Sequence, residues 1–236
     1  MTTPAPRRQL RVLIIEDHAL FAESLELALN LDGYDVRRLP IPEVSAAQAL
    51  LASVVRLHPR IVLLDLDLGQ FGDGIRLITP IVRTGANVVV VTAATDRARW
   101  GEALRNGARK VLSKSQPLNE ILSTVRRINQ GFPVIDVEER EALIAHWQEQ
   151  TKERGALESR LALLTPREEV VLGELMQGHT VSDIAASSVV SAATVRTQVK
   201  SILAKLEVSS QLAAVGLANQ SSWRPPSERR PPRSSD

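Results

Sequence analysis

In Ile61-Val62-Leu63-Leu64-Asp65 an apolar run ends on an acid, and three further runs in the chain end on polar residues in the same way. Val12-Leu13-Ile14-Ile15 leads to Glu16-Asp17, Val88-Val89-Val90-Val91 to Thr92, and Lys110-Val111-Leu112-Ser113 to Lys114. Runs this short and this rich in branched residues suit strands buried on both faces, and the amphipathic segments of helical length between them suit the crossovers of a parallel sheet. An open parallel sheet carries its chemistry at the carboxyl ends of its strands. The four elements are therefore expected to meet. Together they would gather three carboxylates, a hydroxyl and an ammonium around one pocket, a donor set for a divalent cation and a phosphoryl group.

Working outward, strands near 11–15, 34–38, 61–64, 87–91 and 109–112 alternate with helical segments near 19–31, 43–57, 74–84, 96–105 and 118–129. The second helix gathers Val44, Ala47, Leu51, Val54 and Val55 on one side. This alternation predicts an α/β, doubly wound, parallel five-stranded domain over residues 1–131, closed by Gly131-Phe132-Pro133. From Val137 to Leu164 no strand signal appears, and Leu143, Trp147, Leu157 and Leu161 punctuate a charged background within the segment 132–163. They predict a helical linker, one helix or a pair broken at Gly155, serving as spacer and partner contact. Residues 164–222 read as a small all-α domain, and the Pro-, Arg- and Ser-rich 223–236 as a disordered tail.

The 236 residues leave room for more than one core and include no cysteine, which excludes disulfides, thiolate nucleophiles and Cys-ligated zinc. The four histidines, at 18, 58, 146 and 179, show no metal-ligand spacing. No apolar stretch approaches the ~20 residues of a membrane span, and Met1 to Gln9 lacks an apolar core of the signal-peptide kind, so a cytoplasmic protein without a membrane partner is expected. Residues 164–222 hold 4 basic and 5 acidic side chains, so charge alone does not predict nucleic-acid binding.

Ile14-Ile15-Glu16-Asp17-His18, Leu63-Leu64-Asp65-Leu66-Asp67, Val91-Thr92-Ala93, and Gly107-Ala108 followed by Val111-Leu112-Ser113-Lys114 resemble the motifs of two-component receiver domains, over essentially all of 10–130. The resemblance implies that Asp65 is the phosphoacceptor. It further implies that Asp17 and Asp65 bind Mg²⁺ together with the Asp67 backbone carbonyl, that Glu16 acts through water, and that Thr92 and Lys114 read out the phosphoryl oxygens. The chemistry agrees, since a carboxylate attacking phosphorus needs a hard cation and a lysine to screen its charge. Two departures stand out: Val111 occupies the position of the usual aromatic switch, and the loop Leu68 to Gly74 is longer than the family's. Asp65-x-Asp67 also looks like the nucleophile motif of haloacid-dehalogenase-type phosphatases, but there the acidic pair follows the nucleophile strand, whereas Glu16-Asp17 precede it here. The expected protein is therefore not an enzyme.

Leu164-Thr165-Pro166-Arg167-Glu168 opens a helix by rule, with Thr165 as cap, Pro166 in the first turn and Glu168 completing a capping box; Gly178 fits its stop. Val181 to Ser187, a turn through Val189-Val190-Ser191, and a helix from Ala192 to Leu206 then describe a helix-turn-helix, with Arg196, Lys200 and Lys205 off the apolar face. Leu164-Thr-Pro-Arg-Glu, Ile184-Ala185, Thr194-Val195-Arg196 and Ile202-Leu203-Ala204-Lys205-Leu206 are similar to the LuxR-type DNA-binding domain, and the whole chain to response regulators of the NarL/FixJ class. By that resemblance Arg196, Thr197 and Lys200 face base edges, while Thr194 and Lys205 contact phosphates. So few cations per copy argue for a homodimer on promoter DNA, with the helix from 211 to 219 either closing its own core or pairing. The implied function is transcriptional regulation after phosphorylation of Asp65 by a sensor histidine kinase. The alternative is a phosphorylation-independent regulator controlled by a ligand or partner, as Val111 allows.

Overall fold

The computed structural model describes residues 10–41, 47–221 and 223–225; the expected helix start at 43–46 and the tail from 226 onward lie outside the described residues. The chain forms two compact units, Met1–Glu149 and Gln150–Asp236. In the first, strands β1 (Arg11–Ile15), β2 (Asp35–Arg38), β3 (Ile61–Leu64), β4 (Asn87–Thr92) and β5 (Lys110–Ser113) alternate with helices α1 (Ala19–Leu31), α2 (Ala47–Leu57), α3 (Ile75–Arg83), α4 (Arg97–Arg105) and α5 (Leu118–Asn129). The sheet is parallel throughout, in the order β2-β1-β3-β4-β5.

All four residues of β3 are buried, and they alternate between two cores. Val62 and Leu64 join Leu50 and Val54 of α2, Ile78 and Ile81 of α3 and Leu104 of α4 on one face. Ile61 and Leu63 join Leu25 and Leu29 of α1 and Val125 and Ile128 of α5 on the other. Burial on both faces is why the strands read as continuous apolar runs rather than alternating ones. Strand order reverses between β1 and β3, so the crevice of an open α/β sheet opens there, beyond the carboxyl ends of those strands.

Helix α6 runs unbroken from Val137 to Leu161. Of the two expected alternatives, one helix or a pair broken at Gly155, the single helix forms, because one glycine costs a helix only about 1 kcal/mol and its neighbours are good helix formers. The first half of α6 is not a free spacer. Leu143 is buried in the α2–α3–α4 core, Ile144 packs against it, and the Arg140 guanidinium donates to the carbonyls of Leu104 (2.7 Å) and Ala108 (3.0 Å) at the end of α4. Burial, with the like charge of Arg109 nearby, lowers the Arg140 pKa.

The second unit packs α7 (Pro166–Met176), α8 (Val181–Ser187), α9 (Ala192–Leu206) and α10 (Gln211–Gln220) around Val171, Leu172, Ile184, Val195, Ile202 and Leu206. Both halves of the expected Thr165–Glu168 capping box form, and Thr180 and Asp183 make a second box at α8. Ala214 and Ala218 of α10 are fully buried in this same core, while Leu212 is exposed. Residues 223–225 of the expected tail are packed instead, with Trp223 on the core and Pro225 buried against α7 at Gly173. Among the described residues no single helix is long and apolar enough to cross a membrane.

Candidate functional site

Two backbone hydrogen bonds extend the ladders by one residue beyond the strands and so place the polar groups. The Asp65 N–H donates to Ile15 C=O (3.0 Å), setting Asp65 beside Glu16, and the Lys114 N–H donates to Thr92 C=O (2.9 Å). Asp65 and Thr92 are buried at the floor of the crevice. The Lys114 ammonium bridges Asp65 Oδ2 and Glu16 Oε1, both at 2.7 Å, and lies 5.2 Å from the centre of the Phe21 ring. Burial works against its charge, but the hydrogen bonds and charges of Asp65 and Glu16 outweigh that and raise its pKa.

Ligand atoms of Glu16, Asp17, His18 and Asp65 all lie within 4.8 Å of one another. His18 is the member that histidine spacing did not reveal: its Nδ1 lies 2.8 Å from Asp17 and 3.1 Å from Glu16, a contact that follows from adjacency at the end of β1. Asp67 stands apart from this group. Its carboxylate pairs with Arg99 Nη1 at 3.0 Å, while Arg99 Nη2 reaches Asp73 at 3.1 Å. Gly74 closes the loop so tightly that a Cβ there would lie 2.2 Å from the Asp65 carbonyl oxygen. Thr92 Oγ1 accepts the Ala94 N–H at 3.1 Å.

In the second unit Arg196, Thr197 and Lys200 are exposed on α9. Thr194 is also exposed, with its hydroxyl 2.8 Å from that of Ser191, and the Thr197 hydroxyl donates back to Ala193 C=O. Lys205 differs from the expected phosphate contact. Its ammonium is bound at 2.6 Å to Glu168, which also accepts from the Ser201 hydroxyl (2.6 Å) and from the N–H and hydroxyl of Thr165. Burial opposes ionisation of Glu168, yet the bonds from Lys205, Ser201 and Thr165 prevail and hold its pKa at about 2.

The family of response regulator receiver domains matches residues 12–126, and the luxR family of bacterial regulatory proteins matches residues 162–218. Relatives align along nearly the whole chain. A nitrate/nitrite response regulator protein homolog of Haemophilus influenzae is 26% identical, over 89% of this chain and 96% of its own. A probable transcriptional regulatory protein NarL of Mycobacterium tuberculosis is 29% identical, over 92% and 97%. The chain is a two-component response regulator with a receiver domain and a LuxR-type DNA-binding domain. Among solved structures, the RcsB response regulator of Salmonella typhimurium aligns over 91% of this chain and 100% of that one, at 20% identity and a TM-score of 0.48.

This response regulator brings Glu16, Asp17, Asp65, Thr92 and Lys114 to one end of its sheet. Sequence reasoning missed three residues there or nearby. His18 could have been found from its place next to the acidic pair. Arg99 and Trp100 carried no signal: Arg99 reaches back 32 residues to Asp67, and the Trp100 indole donates to Ala94 C=O at 2.9 Å across the turn that enters α4, a bond that no periodicity encodes. In the DNA-binding unit, the Glu168–Lys205 bond joins residues 37 apart, beyond the reach of any local pattern.

Proposed function

We propose that Asp65 accepts a phosphoryl group from a sensor histidine kinase, and that the phosphorylated regulator binds promoter DNA as a homodimer in the cytoplasm. The observation that carries this reading is the Lys114 ammonium 2.7 Å from both Asp65 and Glu16, with Asp17 alongside. Buried carboxylates this close repel unless a cation compensates, and one lysine does so only in part. An all-oxygen donor set fits a hard cation such as Mg²⁺, held by Asp17, Asp65 and the Asp67 backbone carbonyl, with Glu16 acting through water. When bound, Mg²⁺ would neutralise charge on the incoming phosphoryl group. Asp65 supplies the nucleophilic oxygen, and an in-line attack exchanges the phosphoryl–donor bond for an Asp65–phosphorus bond. Lys114, already ionised and pointed at Asp65, would move from a carboxylate oxygen to a phosphoryl oxygen, and the Thr92 hydroxyl would donate to another.

On DNA, α9 would enter the major groove with Arg196, Thr197 and Lys200 toward the bases and Thr194 toward a phosphate. Lys205 is assigned instead to holding α9 on α7 through Glu168. The test of phosphotransfer is mass spectrometry after treatment with a small-molecule phosphodonor and Mg²⁺. One phosphate is expected on the native chain and none on Asp65→Asn. Equal labelling of both would reject Asp65 as the acceptor.

A further inference from the structure

With Val111 at the usual aromatic switch position, a rotating aromatic on β5 is not available to report the state of Thr92. The structure offers a different connection. The Thr92 hydroxyl oxygen accepts the Ala94 N–H (3.1 Å), the Ala94 carbonyl accepts the Trp100 indole N–H (2.9 Å), and Trp100 is half-buried on α4 against the core that contains Val111. The next residue, Gly101, meets α6 so closely that a Cβ would stand 2.0 Å from the Leu143 carbonyl oxygen and 2.9 Å from Trp147 Cβ. A short chain of bonds thus runs from the site to the place where α6 docks.

We propose that Trp100 acts as the switch aromatic of this regulator, pulled through Ala94 when Thr92 turns to a phosphoryl group on Asp65 and shifting the docking of α6 on α4. This rests on the reading of Asp65 as phosphoacceptor. A hydroxyl has one proton to give and two lone pairs. Thr92 therefore donates to a phosphoryl oxygen while still accepting from Ala94, and its inward movement drags the β4–α4 loop without breaking the link. Ala94 in turn draws the indole. Because the Gly101 backbone of α4 lies against the Leu143 backbone and the Trp147 Cβ of α6, no compressible layer absorbs the displacement, and close-packed interiors pass such shifts on. Arg99 anchors the same turn of α4 to Asp67 and Asp73 on the opposite wall, so this turn senses both sides of the crevice.

The test uses the full-length protein with Mg²⁺ and beryllofluoride, an aspartyl-phosphate mimic, with occupancy read by fluorine NMR. The chain has three tryptophans, so a Trp147→Phe/Trp223→Phe double variant leaves Trp100 as the only indole emitter. Its emission is expected to shift on occupancy, and the shift to vanish in the added background of Thr92→Val at matched occupancy. In parallel, deuterium exchange over residues 137–147 is expected to change on occupancy in the native chain, and not in Trp100→Phe, which keeps a ring but loses the N–H. A Trp100→Phe protein that is occupied and still shows the native change in exchange overturns the proposal. So does an emission unchanged at full occupancy, and that measurement decides alone if Trp100→Phe loses the exchange protection of β3. A native protein with no bound-beryllofluoride signal instead overturns the phosphoacceptor reading and this proposal with it.

Discussion

Glu168 has two tasks that its sequence position shows only in part. The spacing Thr165-x-x-Glu168 identifies a capping box, because a box is local and its geometry is set by one helical turn. That the same carboxylate also holds Ser201 and Lys205 depends on α9 folding back across α7, which no local pattern encodes. Its pKa falls from an ordinary value near 4.5 to about 2, so the stability it contributes is complete above pH ~4.5 and is lost as pH falls through that range toward 2. Glu168→Gln should cost about 2 kcal/mol, the scale of a charge-assisted hydrogen bond, and should flatten the acid limb of stability. Urea unfolding at pH 7 and pH 3 checks both, and a variant with the native acid dependence would remove Glu168 from this role. Lys205→Ala should likewise lower the urea midpoint, which a lysine serving only as a phosphate contact would not do.

At the scale of elements, the strands and the helices between them were legible because each is set by its own periodicity, and strand-end placement follows from parallel pairing. The helical linker was legible as helix but not as a docked one. Leu143 and Trp147 looked like sparse apolar residues on a charged helix, and only the structure shows Gly101 making room for them. Gly101→Ala should therefore cost about 1–3 kcal/mol, as overpacking does, and raise deuterium exchange over 137–147. Native exchange there would mean that α6 docks without this close approach. For α9, Arg196→Ala should weaken binding to a selected DNA site by about 1–3 kcal/mol and relax its sequence preference. Competition with mismatched duplexes measures it, and a uniform loss over all sequences would make Arg196 a phosphate contact.

At the scale of the whole molecule the DNA-binding charge is thin, because exposed cations on α9 are few. With Lys205 bound to Glu168, Arg196 and Lys200 are the exposed ones on α9, so the salt slope of DNA binding should be roughly −2 for one copy and roughly −4 for a pair. Titration at several salt concentrations gives this number, and a slope much steeper than −4 would require cations outside α9. A tenfold rise in dimer population on beryllofluoride binding, about 1.4 kcal/mol of coupling, is expected by analytical ultracentrifugation. An unchanged dimer constant at full occupancy would favour regulation without phosphate-driven pairing.

The way α6 finishes the first unit also bears on where that unit could be cut from the rest. A shortened protein ending at 131, where the α/β pattern stops, would take Arg140 from the carbonyls of Leu104 and Ala108 and leave the Leu143 slot open beside Gly101. Such a fragment should be sticky and of low melting temperature. One ending at 149 keeps its own lid and should behave as a well-mannered monomer in solution, even though the longer ending splits a helix that the shorter one leaves out altogether.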